Sequence, residues 1–417
     1  MENGIGKRSV FLFVVVMTFL LSATTLRAGD EGDGEGASSL AAALKSGKFS
    51  LNLNYRFEFV GDDSFDDDGM ASTLRTTVNY KSLQWKGIGV FLEFENVTDI
   101  GMEDNHNNKG WDYLWNGVSD RPVVADPEIT AVNQAYLSFD FISKTTLQVG
   151  RREILLGDVR FVGNVGWRQH HQSFDSMSLS TTALPNTKIT YAYVDKVNRI
   201  VGDRKDMGSH LFEADISLGK GGTLAAYAFL LDYDEQADAG LSTSTYGIRY
   251  FGSWNFGDAA KGLWDFAFAD QSDYGDNPNT VDAVYWRAEV GANFSGWTFK
   301  VGREVLGGSP EDGKFTTPLA TLHKWNGWAD QFLATPANGL VDTTLLVSTA
   351  VKKVKLIAIY HIFEADTGDA DYGSELDLLA VYVTDWKQKF GLKVALYDAD
   401  QHKTDTNKVM LWTSWGF

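Results

Sequence analysis

The 417-residue chain contains no cysteine and no apolar run long enough to cross a membrane as a helix. The absence of cysteine excludes a disulfide framework, a thiolate metal site and a cysteine nucleophile. A membrane-spanning helix needs about 18 or more apolar residues, so any membrane span would have to be built from strands. Positive charge is also scarce: the formal net charge is -18, which argues against a nucleic-acid partner. The 41 glycines, 7 prolines and 13% aromatic residues suit many strands joined by turns.

Residues 1–28 have the features of a secretory signal peptide. Two basic residues precede the apolar run Val10–Leu21, and the small residue Ala28 offers a cleavage position. The run is too short for a spanning helix. Leu26 fits the small-residue rule at the cleavage site only loosely, so an uncleaved helical anchor remains the alternative.

The segment that follows changes from acidic and small residues to regular alternation. Residues 29–47 begin with Gly, Asp, Glu and Ser and predict a disordered lead-in on the periplasmic side. Residues 48–417 are predicted to form one folded domain. From Phe49 to Phe59 every odd position is apolar or aromatic and every even position is polar, which is the two-residue period of a strand with one apolar face.

The same alternation recurs along the chain, and counting such segments yields about 18 strands. An even number allows both ends of the barrel to lie on the periplasmic side. A soluble β-sandwich would show the same pattern in any single strand. Clear examples are Leu74–Tyr80, Ile88–Glu95, Phe212–Leu218, Trp286–Phe294 and Leu376–Tyr382.

Connection lengths separate the two fold classes, because outer-membrane barrels alternate short periplasmic turns with long external loops. Long connections are Gly61–Ala71, Asp99–Thr130, Ile154–Ser173 and Val305–Asn338; short ones are Lys81–Gly87, Ile142–Lys144 and Ser295–Gly296. The sequence therefore predicts an all-β, antiparallel transmembrane β-barrel in the outer membrane of a Gram-negative-type bacterium. Outer-membrane lipid is then an expected partner.

The last segment has one apolar face made of alternate residues. That face resembles the C-terminal signature read by the machinery that assembles outer-membrane barrels, which we expect to be a second partner. Its members are Val409, Leu411, Thr413, Trp415 and Phe417.

Two stretches of the sequence contain the same motifs in the same order, as two copies of one unit would. Val149-Gly150-Arg151-Arg152-Glu153 and Val301-Gly302-Arg303-Glu304 each end a strand and open a long loop that contains tryptophan. The tryptophans are Trp167 in the first loop and Trp325 and Trp328 in the second, and each loop returns through an aspartate, Asp175 or Asp342. The shared order indicates an internal duplication.

The stretch from Val149 to Asp175 resembles the alginate-export family of outer-membrane proteins, and the resemblance extends over most of the chain after the leader. It implies an 18-stranded barrel with an arginine-lined passage for an anionic polyuronate. It also implies that Arg151, Arg152 and Arg303 lie near the pore. The loop-motif candidates that carry the resemblance are Asp158, Arg160, Trp167, Arg168 and Asp175.

Alternation independently assigns basic residues to the inward face, where a ring of arginines would attract carboxylates. These pore-lining candidates are Arg56, Arg75, Arg249, Arg287, Lys300, Lys389 and Lys393. The same faces carry carboxylates, so the lumen is mixed or net acidic. Arg56 could simply pair with Glu58, and Arg287 with Glu289, without any role in selectivity. The other inward carboxylates are Glu93, Glu95, Asp140, Glu213, Asp215, Asp265, Glu375 and Asp377.

The remaining chemistry-bearing residues predict no catalytic site, metal site or cofactor. His170 and His171 are adjacent, but no third ligand, serine-hydrolase motif or H-E-x-x-H motif accompanies them. Four external loops are acidic, and calcium binding is one interpretation, although none has the EF-hand spacing. Solvated loops are the favoured interpretation. The acidic runs are Asp62–Asp68, Asp232–Glu235, Asp366–Asp371 and Asp398–Asp400.

Together these features predict a channel for passive, selective passage of a polysaccharide, an oligosaccharide or a small polar solute, with a polar or anionic saccharide as the expected cargo. The alternative is a closed barrel that acts as a surface-binding or structural outer-membrane protein. In that case the inward aromatic residues Tyr136, Tyr285 and Trp412 and the folded loops would plug the lumen.

Overall fold

The computed structural model describes residues 37–257 and 260–417. The predicted signal peptide, residues 1–28, lies outside the described residues. Within the described ranges, no helix has both the length and the apolar character that a membrane crossing requires.

A single sheet of 18 strands dominates the structure, and every neighbouring pair is antiparallel. The last strand pairs with the first, with Tyr55 opposite Thr413, so the sheet closes on itself and leaves no edge unpaired. The predicted antiparallel barrel of about 18 strands is confirmed. The strands are β1 Lys48–Asp62, β2 Gly69–Lys81, β3 Ile88–Asp99, β4 Ile129–Ile142, β5 Thr145–Arg152, β6 Ser173–Thr181, β7 Thr187–Asn198, β8 Arg204–Ser217, β9 Thr223–Leu231, β10 Thr243–Phe256, β11 Ala260–Asp273, β12 Asp282–Phe294, β13 Trp297–Leu306, β14 Leu340–Val351, β15 Val354–Glu364, β16 Asp371–Val383, β17 Lys389–Ala399 and β18 Thr406–Gly416.

A short helix, α1 (Leu40–Lys45), precedes the barrel. The hydroxyl of Ser39 accepts a hydrogen bond from the backbone N–H of Ala42 at 3.1 Å, and the run of Leu and Ala favours the helix. The hydroxyl of Tyr80, at the periplasmic end of β2, donates to the carbonyl of Leu44 at 2.6 Å. The lead-in that was expected to be disordered through residue 47 therefore contains a docked helix in its described part.

Short and long connections alternate around the barrel. On one side, the turns between strands run from two to six residues. Ser295 and Gly296 form a two-residue turn with φ angles of 49° and 84°, the left-handed pair that matches the twist of two antiparallel strands. Aromatic side chains such as Trp254, Phe256 and Trp297 are exposed near this rim, as expected of an interfacial girdle.

Two of the long connections leave the wall and enter the lumen, and the β3–β4 connection also covers inward residues of β1 with Val124 and Asp126. We call residues 153–172 loop A and residues 307–339 loop B. β5 and β6, which flank loop A, have only 8 and 9 residues, so the chain leaves the wall well below the height that β1 reaches with 15. The two loops are joined by backbone hydrogen bonds, one from the N–H of Gly163 to the carbonyl of Leu319 at 2.9 Å.

Loops A and B build an apolar core inside the barrel. Phe315 and Leu319 of loop B are buried against Val162 of loop A, and inward aromatic residues of the wall, such as Tyr285 and Phe363, complete the cluster. This core lies toward the external ends of the strands, because both loops leave the wall at those ends. The loops thus narrow the lumen from the external side.

Candidate functional site

Two glutamates form matching anchors for the two inward loops: Glu153, the first residue of loop A, and Glu304, the third residue from the end of β13. Glu153 accepts a hydrogen bond from the Nδ2 atom of Asn164 at 2.7 Å, and Glu304 accepts one from Asn326 Nδ2, also at 2.7 Å. Each asparagine stands shortly before a tryptophan, and each glutamate follows V-G-R. In both stretches, therefore, a glutamate at the end of the strand holds an asparagine of the loop that follows. The asparagines were missed, although they stand before Gly and Trp in both copies.

The two copies also interlock. Arg160 of loop A forms a bidentate ion pair with Glu304, at 2.9 and 3.2 Å, and donates to the Oδ1 atom of Asn326 at 3.0 Å. The hydroxyl of Tyr285 donates to the same glutamate at 2.7 Å. Loop A is consequently attached to the root of loop B.

A first charge cluster holds loop A against β1. Arg56 of β1 pairs with Asp126 of the β3–β4 connection. Arg168 of loop A lies 3.3 Å from Glu58 of β1 and 2.8 Å from Asp330 of loop B. Burial alone would raise the pKa of Asp126, but the guanidinium groups of Arg56 and Arg168 hold that pKa below its ordinary value. All five side chains are buried, so this cluster fixes the loop and does not face a solute.

A neutral histidine extends this cluster. Burial lowers the pKa of His323 well below its ordinary value, so its Nδ1–H donates to Asp330 at 2.7 Å and its Nε2 atom accepts from Lys393 at 3.0 Å. The Lys393 ammonium also lies 3.8 Å from the ring centre of Trp167 and 4.3 Å from that of Trp328. The tryptophans of the duplicated loops thus share one cation.

A second charge cluster crosses the lumen and remains partly accessible. Asp158 of loop A lies 2.6 Å from Arg287 and 3.3 Å from Arg249, and both arginines also contact Asp265. Burial would raise the pKa of Asp158, but Arg287 and Arg249 lower it, so the carboxylate stays charged. The ring of Trp325 in loop B packs over Arg287 at 4.9 Å. Two arginines and two aspartates therefore fix loop A to the far wall.

Two cavities lie between the loops and the periplasmic half of the wall. The Tyr227 cavity, about 360 Å³, lies beneath residues 155–161 of loop A and against β7–β12. The Arg75 cavity, about 370 Å³, is lined by Arg75, Glu95, Glu153 and His171, with Lys389 nearer the periplasmic rim. Charged side chains of both signs line each cavity.

Most alternation-based candidates point inward, and one of the two pairings suggested by sequence spacing is present: Arg56 and Glu58 lie 3.6 Å apart. Glu289 pairs with Lys300 at 2.7 Å, whereas Arg287 pairs with Asp158 and Asp265, so the pairing of Arg287 with Glu289 was wrong. Arg56 and Glu58 are covered by loop A. The inward candidates are Arg56, Glu58, Arg75, Arg152, Arg249, Arg287, Glu289 and Lys300.

Arg151 and Arg303 require a correction. Each arginine follows an outward valine by two residues, so strand geometry places it on the same outward face, above the lipid-exposed band. Arg151 pairs with Asp175 at 2.6 Å on that face, and Arg303 bonds Thr343 at 2.8 Å. These two arginines and Asp175 do not line the lumen. Extending the alternation through V-G-R would have placed them correctly.

The adjacent histidines also serve to hold loop A. His170 lies 2.6 Å from Glu95 of β3, and the Nδ1 atom of His171 lies 2.8 Å from Glu153. Within residues 37–257 and 260–417, no group of three or more histidines and carboxylates is arranged to hold a metal ion.

Comparison with known proteins identifies the architecture. A family model described as "Alginate export" matches residues 46–304. No curated protein matches the chain. Among solved structures, Pseudomonas aeruginosa OpdK with vanillate superposes with a TM-score of 0.70 at 13% identity, covering 90% of this chain and 99% of that chain. Pseudomonas aeruginosa OccK8 (OprE) has a TM-score of 0.69 at 14% identity, covering 90% of this chain and 98% of that chain. OccD3 (OpdP) from the same organism has a TM-score of 0.67 at 14% identity, covering 92% of this chain and 93% of that chain.

At these identities, the structural likeness concerns the fold. Together, the family match and the fold confirm the predicted resemblance and the outer-membrane location. The barrel wall therefore faces outer-membrane lipid.

Proposed function

Since the chain belongs to the alginate-export family, we propose that it is an outer-membrane channel selective for a class of small polar solutes or short saccharides, which pass by diffusion. The observation that carries this proposal is the pair of inward loops. They narrow the lumen and hold charged side chains of both signs at fixed positions beside the remaining space, which is how channels select among solutes.

The size of the remaining space favours a small solute over a polymer. The apolar core of loops A and B occupies the external half of the lumen, and the two cavities beneath it measure about 360 and 370 Å³. Cavities of about 300 to 1,000 Å³ suit single small molecules. The structure of OpdK with vanillate is a precedent for a small molecule in this fold. A polyuronate, as the family description suggests, would require loops A and B to move apart.

Planar-bilayer recording tests the channel. The purified protein should produce discrete conductance steps, and a variant with residues 155–171 replaced by a short Gly-Ser linker should produce larger steps, because loop A no longer narrows the lumen. A barrel that is electrically silent at every voltage, both intact and with loop A shortened, would refute the proposal. Liposome swelling with neutral, anionic and cationic sugars would then rank the solutes.

A closed barrel that binds a ligand or partner is the second candidate, and the continuous apolar core inside the lumen is the observation that favours it. This candidate predicts silence in the intact protein and conductance only after loop A is shortened. Neither candidate assigns a catalytic step, since His170 and His171 are engaged in holding loop A.

The alternation in β18 supports a further part of the proposal. Leu411 and Trp415 face outward beside β1, and an apolar outward face on a closing strand suits recognition by the barrel-assembly machinery. Replacing both residues with serine should lower the yield of assembled barrel in the outer membrane.

A further inference from the structure

We infer that the Tyr227 cavity is a binding site for one uncharged, polyhydroxylated ring, the chemistry of a neutral sugar unit. This inference rests on the proposed channel function and deepens it, because it names the solute class and the residues that recognise it. It also departs from the anionic cargo that the family description suggests.

Small side chains on the wall create the cavity. Ala225 of β9 and Ala267 of β11 stand opposite Arg249 on its two neighbouring strands, and both point inward. Larger residues at these positions would fill the space beneath loop A. The roof is formed by loop A, which is held in place by Asp158 and by the hydrogen bond from the N–H of Gly157 to Glu213 at 3.0 Å.

Two buried polar atoms in the lining have no hydrogen-bond partner among the described residues. They are the hydroxyl of Tyr227 and the Nη1 atom of Arg287, and their side chains belong to residues only 7% and 8% exposed. Buried polar groups in folded proteins are almost always satisfied, so two on residues that line one cavity favour a ligand that brings oxygen acceptors to them. A guanidinium N–H and a phenol can both donate to sugar hydroxyl oxygens.

The opposite part of the lining carries carboxylates, with Lys188 of β7 beside Asp215. Glu213 and Asp215 on β8 face the cavity, and within the described residues neither has an ion-pair partner within 4.0 Å. A carboxylate ligand would meet these groups and Asp158, whereas an ammonium ligand would meet Lys188 and the two arginines. Hydroxyl groups donate and accept, so an uncharged ring satisfies both sides without a like-charge contact.

Aromatic rings supply the apolar contact that a sugar face requires. Phe161 of loop A lies 5.4 Å from Tyr227, centre to centre, and Tyr227 stacks on Phe229 at 5.2 Å. All three rings line the cavity, whose volume of about 360 Å³ lies within the range of small-molecule sites. Apolar walls with a few fixed polar groups are the usual composition of such sites.

Calorimetric titration of the full barrel in detergent tests the site without requiring conduction. The probes are glucose, glucuronate and glucosamine, which share one ring and differ in charge. Glucose should bind at least about fivefold more tightly than either charged sugar, because each charged sugar forces one like-charge contact. Tighter binding of glucuronate or glucosamine, or no heat with glucose, would overturn the inference.

Variants locate the binding. Tyr227→Phe removes only the unpartnered hydroxyl and should weaken glucose binding about fivefold, the effect of one hydrogen bond. Ala225→Leu fills the cavity and should weaken it by about tenfold or more. Their controls are Tyr246→Phe and Ala226→Leu, whose side chains point outward on β10 and β9 and which should leave binding unchanged.

Unchanged binding in Tyr227→Phe and Ala225→Leu, or an equal loss in the controls, would place the sugar elsewhere. Bilayer recording separates this inference from the proposed channel. A conducting barrel that binds no glucose refutes the site and leaves the channel. A silent barrel that binds glucose in this cavity refutes the channel and leaves the site.

Discussion

Replacing Asp158 with asparagine removes the one carboxylate of loop A that pairs with the far wall. Its oxygen lies 2.6 Å from Arg287 and 3.3 Å from Arg249, and in the variant these guanidinium groups keep only Asp265. Hydrogen bonds to charged groups contribute about 1.5 to 3 kcal/mol each, and the asparagine oxygen can still accept one. We therefore expect loop A to lose about 2 kcal/mol of attachment, a change of about 30-fold in the ratio of attached to detached loop.

The variant also removes one negative charge from the narrow part of the lumen, which makes the net charge there more positive. In a bilayer with a KCl gradient, the reversal potential of Asp158→Asn should move toward the chloride equilibrium potential, and open-channel noise should rise because the loop detaches more often. Asp175→Asn is the matched control. It breaks an ion pair of the same type with Arg151, on the outward face of the wall, and should leave the reversal potential unchanged.

A reversal potential that does not move in Asp158→Asn, or moves toward the potassium equilibrium potential, would refute the assignment of this cluster to the conducting path. A shift of equal size in Asp175→Asn would refute the outward placement of Arg151.

Three further predictions follow from the fold and the loop anchors. Ile248→Arg puts a charge on the lipid face near the middle of β10 and should cost about 2 to 4 kcal/mol, measured by urea unfolding in lipid vesicles; folding as stable as wild type would contradict the outward parity. Asn326→Ala should cost about 1 to 3 kcal/mol, because Glu304 loses a buried donor, and should raise open-channel noise; unaltered stability and noise would count against the anchor. Burial lowers the pKa of His323 and keeps it neutral in the folded state, so below about pH 6.5 the unfolded state binds more protons than the folded state. The free energy of unfolding should therefore be highest above that pH and fall as the pH drops. His323→Gln should flatten this pH dependence, measured by unfolding at pH 5 to 8. If His323→Gln kept the same pH slope, the slope would have another source.

The wall of the barrel could be predicted from the sequence because strand alternation is a local signal. In β1 the two-residue period assigns each side chain to one face of the sheet. Polar Arg56 is thereby placed inward and apolar Phe57 outward without any information on tertiary contacts. The same reasoning, extended two residues past Val149, would have placed Arg151 outward.

The course of the inward loops could not be predicted, because it depends on contacts between distant segments. Arg160 and Glu304 are 144 residues apart, and no local pattern joins them. Equally, nothing local to Arg287 and Glu289 shows that Arg287 instead pairs with Asp158 of loop A. The family resemblance pointed to the right loop residues, but it could not tell a structural ion pair such as Arg168 with Glu58 from an accessible one.

The ion pair between Arg160 and Glu304 makes the two halves of the barrel depend on each other. A single half-barrel containing loop A would hold a buried arginine without its carboxylate, and the other half would hold Glu304 without its guanidinium. Loss of one partner of a buried pair costs about 3 to 5 kcal/mol. A change at either position therefore requires a compensating change at the other.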